Sequence, residues 1–179
     1  VGQSGCDFLE SRMYKLKREY DIDVTVVNGE NSAQGNGITP QSYRQLLNMG
    51  ADVVTTGNHS FRRREAEDLY DTSEQLLRPA NYPEGVMGHG VTYIDMCPYK
   101  IAVVNLMGTM YMEAVENPFN YADKLLESID TPNIIVDFHA EATSEKKAMG
   151  FYLQNRCTAV LGTHTHVQTA DEAILGGHT

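Results

Sequence analysis

The chain has 179 residues and a formal net charge of −10, and its 41% hydrophobic and 21% charged residues are typical of a folded globular protein. No apolar run approaches the roughly 20 residues that span a bilayer, so the sequence predicts no membrane association. The negative charge argues against stable, nonspecific nucleic-acid binding, which needs a basic surface. It leaves room for a nucleotide in a pocket that metal ions make locally positive.

Hydrophobic periodicity predicts alternating helices and strands. In chain order, the first half is expected to contain a helix over 5–20, a strand over 22–28, a helix starting at Thr39-Pro40 and stopping at Gly50, a strand over 51–56, a polar helix over 62–71 and a strand over 75–79. The second half is expected to contain an antiparallel hairpin of VTYIDM and KIAVVNL, a helix over 119–129, a strand over 133–138, a helix over 144–153, a strand over 157–161 and a last strand, DEAIL.

This order of elements predicts a single α/β domain over 1–179, with a mixed sheet or two packed sheets flanked by helices. Both ends are expected to be cut, because the chain opens on a loop that would normally follow a strand and stops with nothing to close the sheet. No secretory signal opens the chain, and Cys6, Cys97 and Cys157 are scattered and odd in number. We therefore expect free thiols and a cytoplasmic location.

Polar side chains follow four of the apolar, β-branched runs. The segments are Gly29-Glu30-Asn31, Gly57-Asn58-His59, Phe138-His139-Ala140 and Gly162-Thr163-His164-Thr165-His166. In an open α/β sheet, loops that leave the carboxyl ends of parallel strands converge on one rim. Carboxylate, amide and imidazole donors together suit first-row transition ions better than calcium or magnesium. The sequence therefore predicts metal-assisted hydrolysis.

The histidines have alternative interpretations. His164 and His166 are two apart, so in an extended segment both would point the same way and reach one centre. The alternative is a pair of polar loop histidines. His139 could instead be a buried histidine satisfied by a hydrogen bond. The polar run 141–145 after it could orient a ligand or cap the next helix.

The first half of the chain leaves similar choices open. Glu30 is placed to bridge two cations, or it lies in a solvated turn. Asn58 is a candidate neutral oxygen ligand, and His59 beside it would lie at the rim where it can donate a proton, or it is a surface histidine. The arginines 62–64 either attract an anionic substrate or form a solvated helix face.

Five segments together resemble the calcineurin-like metallophosphoesterases, and most closely the bacterial YmdB-like cyclic-nucleotide phosphodiesterases. They are VNGENSAQGNGIT, GADVVTTGNHSF, LRPANYPEG, DFHAEATSEKKAMG and LGTHTHVQTAD. The resemblance implies the calcineurin-like sandwich fold, here without its first strand and closing strands. It also implies a dinuclear centre of iron or manganese; nitrogen and oxygen ligands admit zinc and cobalt as well.

The same resemblance implies roles for individual residues. Glu30 is the bridging carboxylate, His59 is the general acid, and the further metal ligands are Asn31, Asn58, His139, His164 and His166. The implied reaction is attack of a bridging hydroxide on a phosphodiester such as a 2′,3′-cyclic nucleotide, in a protein that forms homo-oligomers.

The chain departs from the family pattern in two ways. Family members begin with a strand ending in a Gly-Asp whose aspartate binds one metal, and this chain starts just after that point. Arg62 stands where the family often has an acidic residue. Two other functions remain alternatives: a phosphomonoesterase or nucleotidase that uses the same site, and a regulatory protein that binds a partner and has weak or no hydrolysis.

Overall fold

The computed structural model describes residues 2–179. The chain forms two compact units. Unit 1 runs up to Arg78 and includes Met87–His89, and unit 2 consists of Pro79–Val86 and Gly90–Thr179. The single-domain organisation stays a prediction.

Unit 1 is built on a short parallel sheet. Its elements are α1 (Gln3–Glu19), β1 (Val26–Asn28), α2 (Pro40–Asn48), β2 (Val53–Thr55), a 3-10 turn (Arg64–Ala66), α3 (Glu67–Thr72) and β3 (Leu76–Leu77). The strands pair in the order β1-β2-β3. The predicted start of α2 is confirmed: Thr39 and Ser42 exchange hydrogen bonds between side chain and backbone, and Pro40 occupies the first turn. The core includes the buried side chains of Ile38 and Leu46.

Unit 2 contains a larger mixed sheet. Its elements are β4 (Val91–Asp95), β5 (Lys100–Met107), α4 (Pro118–Glu127), β6 (Ile134–Ala140), α5 (Thr143–Tyr152) and β7 (Ala159–His164). The strand order is β4-β5-β6-β7, and β4 and β5 form the predicted antiparallel hairpin. The other neighbouring pairs are parallel, with Met107 opposite His139 and Ala140 opposite His164. The ends of β5, β6 and β7 therefore lie side by side.

The α/β class with sheets flanked by helices is confirmed, and one predicted element is wrong. DEAIL forms no strand in the described structure, and most of it is exposed. A short apolar run becomes a strand only when a neighbour completes its hydrogen bonds and covers its face. The predicted helix over 62–71 begins later, because the chain first makes the 3-10 turn at Arg64–Ala66.

Cys6, Cys97 and Cys157 are free, as the sequence predicts. Within residues 2–179, every helix is too short or too polar to cross a bilayer.

Candidate metal centre

Glu30 follows β1 at a point of close backbone packing. The Gly29 N–H donates to the Thr55 carbonyl at 2.9 Å, which extends the pairing of β1 with β2. A Cβ at Gly29 would lie 2.6 Å from Val54 Cγ1 and 2.7 Å from Leu46 Cδ1. A side chain at Gly29 would therefore force Val54 or Leu46 to move, and this close packing holds the backbone of Glu30 in place.

Glu30, Asn31 and His59 form one hydrogen-bonded group in unit 1. Glu30 is 1% exposed, and its Oε1 accepts the backbone N–H of His59 at 2.8 Å. Asn31 donates from Nδ2 to Glu30 Oε2 at 3.4 Å, and its Oδ1 lies 3.1 Å from His59 Nδ1. Because an amide oxygen only accepts, His59 carries a hydrogen on Nδ1, and Nε2 is its other exchangeable position. Asn58 lies in the same turn and is partly buried.

Arg63 supports the loop that follows Asn31. Its Nε donates to the Asn36 carbonyl at 3.0 Å and its Nη2 to the Gln34 carbonyl at 2.6 Å. The middle arginine of the run therefore has a structural contact that the sequence interpretation missed. Arg62 and Arg64 are exposed, and attraction of an anionic substrate by them stays a prediction.

We expect Arg63→Ala to loosen the loop over residues 34–37. The change removes two hydrogen bonds from a charged donor, which should cost about 1–3 kcal/mol of unfolding free energy. Denaturant unfolding measures the stability, and hydrogen exchange at the loop amides locates the effect. Arg64→Ala is the matched control, since Arg64 is exposed. An equal loss of stability in the two variants would contradict the assignment.

In unit 2, β6 and β7 bring His139 and His164 together. His139 is fully buried, and its Nε2 lies 3.2 Å from Nδ1 of His164, with the rings nearly perpendicular. Two nitrogen ligands on a tetrahedral zinc ion, each at its usual bond length, lie about 3.3 Å apart. The imidazole pair therefore fits the binding of a single transition ion.

Each imidazole also contacts an oxygen atom through its other ring nitrogen. His139 Nδ1 lies 3.0 Å from Thr163 Oγ1, which donates to Asp137 Oδ1 at 2.7 Å. His164 Nε2 lies 2.9 Å from Glu141 Oε2. Asp137 and Thr163 are partners of the histidine pair that the sequence pattern did not identify. The signal that could have identified Asp137 is its ionisable side chain inside the otherwise apolar strand that carries His139.

His164 and His166 do not lie in an extended segment, so that prediction is wrong. Their φ angles are 96° and 52°, so the chain enters the left-handed region where β7 ends. Such angles are uncommon for residues other than glycine and often occur at functional sites. The structure brings His164 to His139. His166 is exposed, and its role as a ligand stays a prediction.

Lys146 contacts the turn between those two histidines. Its Nζ donates to Thr165 Oγ1 at 2.9 Å. Burial lowers the pKa of Lys146, and the nearby Glu141 carboxylate opposes that shift. A cation thus lies near the carboxylate that contacts His164.

The polar run 141–145 does not cap α5. The N-cap residue is Ala142, which has no side-chain capping bond. Glu145 is 7% exposed and instead accepts hydrogen bonds from the Thr109 N–H at 2.9 Å, the Thr109 hydroxyl at 3.2 Å and the Met110 N–H at 3.3 Å. Glu145 therefore holds the loop after β5, which leaves the sheet beside the end of β6.

The same loop is closed at its base by Asn81, which is fully buried. The Asn81 amide donates to the carbonyls of Met107 and Glu116 at 2.8 and 2.9 Å, and it accepts the Met107 N–H at 2.9 Å. The backbone N–H of Glu116 donates to the Asn81 carbonyl at 3.0 Å. Asn81 thus links the two ends of the loop, Met107 and Glu116, by hydrogen bonds.

A model of the YmdB-like protein family matches residues 1–179. The chain belongs to the YmdB-like family. It is 46% identical over 177 residues to a 2′,3′-cyclic-nucleotide 2′-phosphodiesterase of Bacillus subtilis (strain 168), covering 98% of this chain and 67% of that protein. The resemblance drawn from the five sequence segments is confirmed.

Solved structures agree with the family. A hypothetical protein from Thermus thermophilus matches with a TM-score of 0.94 and 37% identity, over 99% of this chain and 69% of that one. A phosphatase from Mycoplasma pneumoniae matches with a TM-score of 0.93 and 32% identity, over 99% of this chain and 65% of that one. The chain spans about two thirds of the length of the curated relatives it matches.

The comparisons establish the class of enzyme. Relatives of the chain are named a phosphodiesterase and a phosphatase, which makes the chain a metallophosphoesterase. Its chemistry implies divalent metal ions, and the nitrogen and oxygen donors found in each unit are of the type that such ions bind.

Proposed function

We propose that this chain is a metal-dependent phosphodiesterase that acts on small phosphodiesters such as 2′,3′-cyclic nucleotides. The observation that carries the proposal is the pair of imidazole nitrogens, His139 Nε2 and His164 Nδ1, 3.2 Å apart at the end of β6 and β7. Family membership and the named activity of the Bacillus subtilis relative support the phosphodiester substrate. The ions and the homo-oligomer are further parts of the proposal.

The proposed donors are the Glu30 carboxylate, the amide oxygens of Asn31 and Asn58, and the imidazoles of His139, His164 and His166. We propose that they hold two transition ions, iron or manganese by preference, with zinc and cobalt as alternatives, because nitrogen and oxygen donors bind all four. Glu30 would be the carboxylate that the two ions share.

When bound, such ions supply a water that is nucleophilic at neutral pH and neutralise charge on the phosphate oxygens. The chain's own residues supply the rest of the reaction. His59 is oriented by its Nδ1 contact with Asn31 Oδ1, and its backbone N–H is fixed on Glu30. We propose that His59 Nε2 delivers a proton to the leaving ribose oxygen, a contribution typically worth about 10²–10⁴-fold in rate.

The proposal is tested by assaying the metal-loaded protein with a 2′,3′-cyclic nucleotide, bis-nitrophenyl phosphate and a nucleoside monophosphate. We expect turnover of both diesters and little release of phosphate from the monoester. Turnover of the monoester alone would overturn the proposal in favour of a nucleotidase. Full metal loading without turnover of any of the three compounds would favour a regulatory protein.

We expect Glu30→Gln to lower the metal content more than Asn31→Ala. The first change removes the negative charge that would hold two cations together, whereas the second removes only a neutral donor. Elemental analysis of both purified variants measures the difference, with circular dichroism to verify folding. Full metal loading of Glu30→Gln would reject the bridging role.

A further inference from the structure

The contacts of His139 determine which of its nitrogens carries the hydrogen. The hydroxyl of Thr163 has one hydrogen, and it donates that hydrogen to Asp137 Oδ1 at 2.7 Å. The Thr163 oxygen must then accept from His139 Nδ1, which lies 3.0 Å away. The lone pair of His139 is consequently on Nε2.

The contacts of His164 give the opposite result. Its Nε2 lies 2.9 Å from Glu141 Oε2, and an ionised carboxylate only accepts hydrogen bonds. The hydrogen of His164 is therefore on Nε2 and its lone pair is on Nδ1. The backbone N–H of Glu141 donates to the Met112 sulfur at 3.2 Å, which anchors Glu141 in this position.

The two lone pairs face each other across 3.2 Å. Neutral imidazoles arranged in this way repel each other unless a cation lies within reach of both nitrogens. Reversing the tautomer of either ring would break its hydrogen bond to Thr163 or to Glu141. The carboxylates therefore favour the arrangement that a metal ion needs.

Building on the metal site proposed above, we propose that Asp137 with Thr163, and Glu141 separately, are positioning residues that fix opposite tautomers of the histidine pair. One ion would then be bound through Nε2 of His139 and Nδ1 of His164. Carboxylates that accept the second N–H of a histidine ligand orient the ring and make it a better donor, and their loss typically weakens metal binding about 10–100-fold.

The hydrogen-bond partners of the two histidines differ in their environment. Asp137 is 6% exposed, whereas the Glu141 side chain is 46% exposed and has Lys146 nearby. Water and the Lys146 charge screen the contact between Glu141 and His164. We therefore expect Asp137 and Thr163, the partners of His139, to have the larger effect on metal affinity. Glu141 has the advantage that its replacement leaves the core of unit 2 intact.

The first test is titration of the metal-free protein with Zn²⁺. We expect Thr163→Val, which keeps the shape and removes the hydroxyl, to weaken binding by about 10–100-fold, and Thr163→Ser to bind nearly as the wild type does. Glu141→Ala should also weaken binding, and Glu141→Gln should lie between, because its amide oxygen still accepts the His164 N–H but has no charge. Glu127→Ala, an exposed carboxylate at the end of α4, is the matched control. Wild-type affinity in both Thr163→Val and Glu141→Ala would overturn the proposal.

The second test identifies the binding nitrogens directly. In the Zn²⁺-loaded protein with ¹⁵N-labelled histidine, NMR should show the N–H retained at Nδ1 of His139 and at Nε2 of His164. Retention at the same type of nitrogen in both rings would overturn the proposal. Neither test depends on turnover, so a protein that passes both and hydrolyses no phosphodiester contradicts the proposed function alone.

Discussion

Replacing His139 or His164 by alanine should remove the bound metal and abolish hydrolysis. Each imidazole would supply one of two nitrogens that lie 3.2 Å apart. When one ring is removed, the remaining ring cannot supply both nitrogens to the same ion. The loss of metal affinity should exceed the roughly 10–100-fold that follows when only the hydrogen-bond partner of a ligand is removed. Elemental analysis and a phosphodiester assay on each purified variant measure the two effects.

The matched control is His178→Ala, an exposed histidine of the same unit. It should keep its metal and its rate. His166→Ala, measured beside it, tests the sequence prediction that His166 is a further ligand, and a full metal content in this variant would remove His166 from the ligand set. Unchanged metal stoichiometry in both His139→Ala and His164→Ala would reject the metal centre itself.

His59→Ala should keep its metals and lose rate, by an amount that depends on the leaving group. A ribose alkoxide has a high pKa and needs a proton as the P–O bond breaks, whereas a nitrophenolate does not. With a 2′,3′-cyclic nucleotide we expect a drop within the roughly 10²–10⁴-fold range of general acids. With bis-nitrophenyl phosphate the drop should be clearly smaller.

The comparison of the two substrates separates the roles that His59 could have. Equal losses on both would indicate that His59 binds the phosphate or only supports the turn. Loss of metal would indicate a ligand. The backbone N–H of His59 contacts Glu30 and is retained in the alanine variant, so the carboxylate should keep that hydrogen bond.

The placement of the candidate site residues at the ends of strands was predictable because it follows local rules. Glu30, His59 and His139 each come at or just after an apolar run, and strands of a parallel sheet end at a common edge. The hairpin and the start of α2 were predictable for a similar reason, since turn and capping residues act on their immediate neighbours.

The partners of those residues were not predictable, because they depend on how separate elements align. The Thr163 hydroxyl reaches His139 because the register of β6 and β7 places these two residues opposite each other. A shift by one residue would put Thr163 on the other face of the sheet, and apolar patterns alone do not determine the register of a strand whose centre, at Leu161 and Gly162, is exposed.

The backbone conformation at the end of β7 was also not predictable from the sequence pattern. The spacing of His164 and His166 is the same in an extended and a left-handed segment, and only the φ angles distinguish them. Arg63 illustrates a related limit: three consecutive arginines look alike in the sequence, and contact with the carbonyls of Gln34 and Asn36 singles out one of them.

The tight packing at Gly29 links the core of unit 1 to the position of Glu30, the carboxylate proposed to bind the metal ions. Because Val54 Cγ1 and Leu46 Cδ1 occupy the space that a methyl group would need, any larger residue at Gly29 must displace these side chains or the backbone from which Glu30 projects. The tolerance of Leu46 and Val54 to substitution should therefore be limited by the placement of a carboxylate as well as by stability. Swaps between aliphatic residues at these two positions would offer protein engineers a means of adjusting the position of Glu30 by fractions of an ångström while its charge stays constant.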